Sequence, residues 1–327
     1  MQRKRFEWKT RSRSLMLGER TLIMGILNVT PDSFSDGGKY SDPDRAFARA
    51  LELEDEGADI IDIGAESTRP GSPRINEGEE LRRLVPVLKR LEGKLRVPVS
   101  VDTYKAAVAE KALEYGAEII NDPSGLTFDP QVARVAANAN GGLILNHMRG
   151  TPETWNRLGS MKNAIATIRI ELDAAIGRAR RGGMEPERIV VDPGLGFGKR
   201  REQNSEILAH LAAFAELGRP VLVGPSRKQF LAQTEESARE FATAAAVTAS
   251  IFGGAHIVRV HNVKVMTVVT QVADAIIAAE YVREPEEREA PPPRHGSPSE
   301  EPRRRPIRPT PSPAGPTRRS GPSRDPR

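Results

Sequence analysis

Short runs rich in Val, Ile and Leu alternate along most of the chain with longer stretches in which apolar residues recur every three to four positions. The runs are Thr21–Leu27, Asp59–Gly64, Pro98–Asp102, Glu118–Asn121, Gly142–Asn146, Arg188–Asp192, Pro220–Gly224 and His256–Val260. Their nearly unbroken apolar content predicts strands buried on both faces, and their alternation with helical stretches predicts βα units and a parallel sheet. Two helical stretches are well marked. Residues 77–92 place Leu81, Leu84, Val85, Leu88 and Leu91 on one face, with Pro86 expected to kink the helix; residues 264–281 do the same with Val265, Val268, Val269, Val272, Ile276 and Ile277. Eight strands with right-handed crossovers predict a closed (β/α)8 barrel over residues 21–283, the doubly wound open sheet being the alternative. Such a barrel needs about 250 residues, and the chain has 327.

The ends have a different composition. Residues 284–327 hold 13 of the 26 prolines, no aromatic residue and one large aliphatic, Ile307. A segment with so little apolar surface to bury predicts a disordered tail. Ahead of the barrel, Phe6, Trp8, Leu15 and Leu17 around Gly18 predict a short hairpin over residues 1–20; a mitochondrial presequence is the alternative. The formal charge is +5. Residues 1–20 carry +5 and residues 284–327 carry +3, which leaves −3 on the barrel. The overall basicity therefore belongs to the ends and does not predict nucleic-acid binding. The absence of cysteine excludes disulfides, zinc thiolates and a cysteine nucleophile, and fits a reducing compartment. No apolar run approaches the ~20 residues needed to span a bilayer, and the basic N-terminus lacks the apolar centre of a signal peptide. A cytoplasmic protein without membrane contact is expected.

Barrel active sites lie at the C-terminal ends of the strands. Those ends carry Asn28, Asp62, Asp102, Asn121, His147, Asp192, Ser226-Arg227-Lys228, Arg259 and His261. Helix capping explains some polar residues at such places, but not Asp102, Asp192 and two cationic clusters together. Phosphate sites in these barrels often use the loops after strands seven and eight. Here those loops hold Ser226, Arg227, Lys228, Arg259 and His261, which predicts a phosphate or diphosphate substrate. Asn28 can add a neutral oxygen ligand for Mg²⁺. Asp102, Asn121 and Asp192 suit a nitrogen heterocycle, because carboxylates accept paired N–H donors and an amide both donates and accepts. Metal ligation or acid–base pairing by the two acids is the competing reading.

The Gly194–Lys199 run is not a P-loop, since Pro193 and Arg200 stand where Gly and Ser or Thr are required. Its glycines predict close backbone approach at a pocket floor, with Phe197 as an apolar wall. Ser226, flanked by cations rather than by a base, does not predict a covalent acyl mechanism.

Longer motifs carry a family resemblance. Met24-Gly-Ile-Leu-Asn28-Val-Thr-Pro-Asp32-Ser-Phe-Ser-Asp-Gly-Gly38 resembles the first signature of the dihydropteroate synthases. Glu66-Ser-Thr68-Arg69-Pro70-Gly71 resembles the second, and Asp192-Pro-Gly-Leu-Gly-Phe197-Gly-Lys199 the sixth-strand motif; Ser226-Arg227-Lys228 and Arg259-Val-His261 complete the set over about residues 21–282. The resemblance implies condensation of 6-hydroxymethyl-7,8-dihydropterin diphosphate with p-aminobenzoate to 7,8-dihydropteroate and pyrophosphate, with Mg²⁺. It implies Asp102, Lys228 and Arg259 as catalytic residues. Asp102, Asn121, Asp192 and Lys228 would hold the pterin; Asn28, Arg69, Arg259 and His261 the diphosphate and metal; Thr68, Pro70, Phe197 and Ser226 the p-aminobenzoate. Loops 28–40 and 65–77 would close over the substrates, and a homodimer is the implied assembly. The chain departs from the usual pattern at Asn146, where an apolar residue precedes the fifth-strand histidine, and at Pro123, Asn262 and Ala65. Two other functions share parts of this pattern. A pterin-binding methyltransferase would not need the cationic loops after strands seven and eight, and a paralogue that binds without turnover would not need so complete a motif set.

Overall fold

The computed structural model describes residues 3–30, 43–67 and 71–279. The chain divides into two units, Met1–Arg283 and Glu284–Arg327, and all described residues belong to the first. The expected tail at 284–327 lies outside the described residues.

A small antiparallel hairpin comes first, β1 (Phe6–Lys9) paired with β2 (Ser14–Leu17). Its turn is not at Gly18. It lies at Thr10–Arg13, closed by the Thr10 N–H donating to the Arg13 carbonyl at 2.8 Å. Gly18 instead bends the chain out of β2, at a φ of +102° and so close to Lys4 that a side chain would strike its carbonyl.

The barrel follows: β3 (Leu22–Asn28), α1 (Pro43–Asp55), β4 (Ile60–Gly64), α2 (Glu77–Leu91), β5 (Val99–Asp102), α3 (Ala106–Glu114), β6 (Ile119–Asp122) and α4 (Gln131–Asn138) form its first half. The second half is β7 (Gly142–Asn146), α5 (Ala164–Arg181), β8 (Ile189–Asp192), α6 (Arg201–Ala209), β9 (Leu222–Val223), α7 (Glu236–Phe252), β10 (Ile257–Val260) and α8 (Val263–Ala279). The strands are parallel and run in the order β8-β7-β6-β5-β4-β3-β10-β9, and a single bridge between Val191 and Val221 closes the ring. All eight expected strands are present. The seventh shrinks to two residues, since Pro220 and Pro225 bracket it and neither has an N–H to give to a ladder.

Strand pleating sorts the side chains between two environments. One set of alternating positions faces the helices and builds the main core, including Ile23, Leu27, Ile61, Ile63, Val101, Ile120, Leu143, Val191 and Val258. The other set faces the barrel axis. Its lower layers are Leu22, Met24, Ile60, Ile119, Ile144, Val190, Leu222 and Ile257, and the hairpin residues Trp8 and Leu17 plug them from below, both with no exposed surface. Gly142 makes room for this plug, because a Cβ there would lie 3.2 Å from the Trp8 ring.

Two helices differ from their expected faces. In α2 the buried stripe is Glu80, Leu84, Val87, Leu88 and Leu91, with Val85 only half-buried. Pro86 sits inside the helix on its exposed side, where the carbonyl it leaves unpaired can reach water. The difference in α8 is larger. Its buried residues are Val263, Met266, Thr270 and Ala273, while Val265, Val268, Val272 and Ile276 are exposed, 42–60% of each. The conspicuous valine stripe therefore faces away from the core. Among the described residues no helix is long and apolar enough to cross a membrane.

Candidate active site

The same inward-facing positions that carry the apolar layers become polar one pleat higher. Cross-strand register aligns Asp62 with Ser100, Gly64 with Asp102, Asp102 with Asn121, and Asn146 with Asp192. Arg259 lies beside Met24 on β10. Seven polar residues on six strands thus converge at the C-terminal mouth, where a barrel presents its chemistry.

Arg259 organises the centre of this layer. Its Nε donates to Asp62 Oδ2 at 2.6 Å and its Nη2 to Asp102 Oδ2 at 2.9 Å. Asn121 Nδ2 donates to the same Asp62 oxygen at 3.1 Å. Burial pushes Asp102 up to about 7, with Arg259 opposing and Asp62 reinforcing the shift. Burial likewise raises Asp192 to about 6, against the Gly194 N–H that donates to its Oδ1 at 2.7 Å. Burial draws Lys228 down to about 8, and its ammonium sits 4.1 Å from the centre of the Phe197 ring. For Arg259 burial acts to lower the pKa, but Asp62 and Asp102 outweigh it and hold the guanidinium charged. A crowd of titratable groups displaced towards neutrality, with buried charges paired across strands, marks a functional site.

The structure brings Asp102, Asn121, Asp192, Phe197, Lys228 and Arg259 to this one mouth. Asn28 stands at its edge, with its Oδ1 3.4 Å from the point where a Cβ on Gly64 would lie and Asp102 Oδ2 3.9 Å from the same point. Asn28 also lines a cavity of about 650 Å³ together with His261, Asn262, Arg45, Arg49 and Arg227. Arg227 adopts a left-handed backbone, φ +57°, rare for a side chain of its size. Thr68, Arg69 and Pro70 lie outside the described residues, as does residues 31–42 of the first expected loop.

Some pairs are invisible to a linear reading. Asp62 proves central, since it binds both Arg259 and Asn121. Ser226, which has cations as sequence neighbours, has His261 as its spatial neighbour: its Oγ is 2.9 Å from His261 Nδ1, and the His261 backbone N–H donates to the same oxygen at 3.2 Å. The hydroxyl ties the loop after β9 to the loop after β10.

The Gly194–Lys199 run brings its backbone close against its neighbours, as its glycines predict. Gly194 and Gly198 have φ of +71° and +69°, and a Cβ on either would collide with the carbonyl of His147 or Arg149. Lys199 Nζ donates inward to the carbonyls of His147 at 2.8 Å and Gly194 at 2.6 Å, so it staples the loop and does not reach for an anion. Departures from the family pattern also find local reasons. Asn262 caps α8 through its side-chain oxygen and the Val265 N–H, 3.2 Å. Pro123 lies in a turn whose free N–H groups, those of Ser124 and Leu126, go to the Asp122 carboxylate.

Three inward polar atoms in the mouth, Asp62 Oδ1, Ser100 Oγ and Asn146 Oδ1, are buried without a hydrogen-bond partner. Each such atom costs about 1–3 kcal/mol, which a folded protein tolerates where a ligand completes the bonding.

Residues 24–261 match the family model described as pterin binding enzyme. Over 263 residues the chain is 44% identical to the dihydropteroate synthase of Synechocystis, covering 79% of this chain and 91% of that protein. Among solved structures, the dihydropteroate synthase from Clostridium difficile in the presence of pteroic acid is 42% identical with a TM-score of 0.74, covering 80% of this chain and 98% of the other. The Xanthomonas albilineans dihydropteroate synthase with 4-aminobenzoic acid is 37% identical with a TM-score of 0.76, covering 85% and 99%.

Proposed function

The chain belongs to the dihydropteroate synthases among the pterin-binding enzymes, and from that premise we propose how its mouth joins 6-hydroxymethyl-7,8-dihydropterin diphosphate to p-aminobenzoate. It is a transferase of folate synthesis, and its products are 7,8-dihydropteroate and pyrophosphate. The observation that carries the assignment of roles is the inward polar layer Asp62, Asp102, Asn121, Asp192 and Arg259, with Lys228 beside Phe197.

In our reading Asp192, Asp102 and Asn121 take the donor and acceptor groups of the pterin, and Lys228 covers its plane. The C–O bond of the pterin methylene breaks with its electron pair leaving on the diphosphate. The positive charge left behind spreads into the ring, where the carboxylates of Asp102 and Asp192 stabilise it. Arg259, held by Asp62 and Asp102, turns its remaining guanidinium N–H donors to the departing diphosphate. Asn28 and His261, with the cavity they line, receive that group. The arylamine then forms the C–N bond through a lone pair that is free at neutral pH and sheds one proton to the leaving diphosphate or to water. This chemistry requires no serine nucleophile, which agrees with Ser226 acting as a tie between loops. Phe197 and Ser226 border the p-aminobenzoate side, with Thr68, Arg69 and Pro70 assigned there and to the diphosphate by the motif alone.

Mg²⁺ fits the donor set. Asn28 offers a hard neutral oxygen near Asp102, and no group of three or more acidic or histidine side chains among the described residues forms a protein cage. That suits a cation bound mostly by substrate phosphate oxygens and water. When bound it would neutralise charge on the diphosphate.

A homodimer is supported by α8. The exposed Val265, Val268, Val272 and Ile276 form an apolar face that a second copy can cover by two-fold symmetry. The cysteine-free composition supports a cytoplasmic location. Purified chain supplied with both substrates and Mg²⁺ should release pyrophosphate and 7,8-dihydropteroate in equal amounts. Binding of the pterin diphosphate without release would instead identify a paralogue that has lost turnover.

A further inference from the structure

Among the described residues, Asn146 and Ser100 are the inward polar residues of the mouth that the reaction as described above leaves without work, and of the two Asn146 stands beside Asp192. It ends β7, its backbone is in register with Asp192, and the same inward face carries Ile144 two residues below it. It is 4% exposed, and its amide oxygen is buried with no hydrogen-bond partner. The oxygen lies 2.5 Å from the point where a Cβ on Gly194 would stand, so it packs under the same loop whose Gly194 N–H fixes Asp192 Oδ1. An apolar side chain of the same shape would fill this place without leaving a polar atom unsatisfied. Asn146 is therefore an internal cost to the fold at a position two strands from Asp102 and one from Asp192.

We propose that Asn146 is a specificity-determining residue of the heterocycle pocket, supplying a hydrogen-bond partner beside Asp192 for the amine-bearing edge of the bound ring. The inference rests on the synthase reading above and deepens it. An amide presents its acceptor or its donors by a half-turn of the side chain, and with its oxygen turned out from under the Gly194 loop Asn146 completes a row in which Asp192 accepts, Asn146 accepts from the exocyclic amine, and Asn121 both accepts and donates. A row of this kind rejects rings that lack the amine, because the amide is then left buried and unpaired.

Asn146→Leu, nearly isosteric and apolar, tests this by separating ligand binding from folding. The expected result is a KM for the pterin diphosphate raised about tenfold, with the KM for p-aminobenzoate and kcat within about twofold of wild type, and a melting temperature for the ligand-free protein unchanged or higher. Titration with 6-hydroxymethylpterin and with its 2-desamino analogue supplies the specificity reading. Wild type should discriminate between the two, and the variant should lose about a tenfold share of that discrimination. An unchanged pterin KM, or an unchanged discrimination ratio, overturns the proposal, as does a variant that loses stability while binding the pterin normally, which is the mark of a structural amide. Asn146→Ala serves as the second variant if the leucine variant does not fold, with the same expected KM split. Failure of wild-type protein to turn over both substrates would instead overturn the synthase reading, so the two outcomes are distinguishable.

Discussion

The lower and upper halves of the barrel interior are built on the same strands by the same alternation, yet they do opposite things. Ile60 and Asp62 are both inward on β4, Ile119 and Asn121 on β6, Ile144 and Asn146 on β7, Val190 and Asp192 on β8, and Ile257 and Arg259 on β10. Below, Trp8 and Leu17 of the hairpin seal an apolar plug. Above, the layer holds charges that are expensive to bury and that only pairing or a ligand makes tolerable. A single pleat, about 6–7 Å along a strand, therefore separates the part that stabilises the fold from the part that reacts. If this division is real, substitutions in the two halves should fail in different ways.

The largest effect is expected above. Arg259→Ala removes the group that pairs with Asp62 and Asp102, and turnover should fall roughly 10²–10³-fold in steady-state assays. The same change leaves two buried carboxyls without a counter-charge, so the variant should also prefer lower pH. Next comes the plug. Trp8→Ala should cost about 3–5 kcal/mol in denaturant unfolding, with KM values for both substrates unchanged at temperatures where the variant is folded. A raised pterin KM in that variant would break the division.

Asp192→Asn sharpens it from the other side. Burial raises both Asp102, to about 7, and Asp192, to about 6. Each binds its proton more tightly folded than unfolded. Their contribution to stability is therefore full below about pH 4, the unfolded value, and is lost as pH rises through 6 and 7. Asp192→Asn should flatten the fall in melting temperature between pH 4 and 7, gain about 3 kcal/mol relative to wild type at pH 8, and bind pterin more weakly. A steeper pH dependence than wild type, or a wild-type pterin dissociation constant, would contradict the role of this carboxyl. The smallest effect on chemistry is expected outside the barrel. Val268→Glu on α8 should halve the mass measured by light scattering while leaving kcat within about twofold; unaltered mass would remove α8 from the proposed interface.

Most of the barrel was legible in the sequence because strands buried on both faces leave a continuous Val, Ile and Leu record, and their observed ends fall within two residues of the expected ones. The exceptions have physical causes. Pro220 and Pro225 cut the seventh strand short. In α8 the helix is apolar on two faces, and periodicity alone does not say which one meets the core; small Thr270 and Ala273 pack inward while larger valines face out. In the site, Asp102, Asn121, Asp192, Lys228 and Arg259 could be read one by one from strand ends. Their pairing could not, because Asp62 and Arg259 are 197 positions apart and Ser226 and His261 are 35 apart. The hairpin's place was hidden for the same reason, since Trp8 meets a ring of residues drawn from strands across the whole chain.

The central claim is that the polar layer at the barrel mouth performs the condensation. The most direct test measures pyrophosphate release by wild type and Arg259→Ala with both substrates present and then with p-aminobenzoate withheld. The account predicts release by wild type that depends on p-aminobenzoate and matches dihydropteroate formed, and a loss of about two to three orders of magnitude in the variant. Release by Arg259→Ala at the wild-type rate would contradict it.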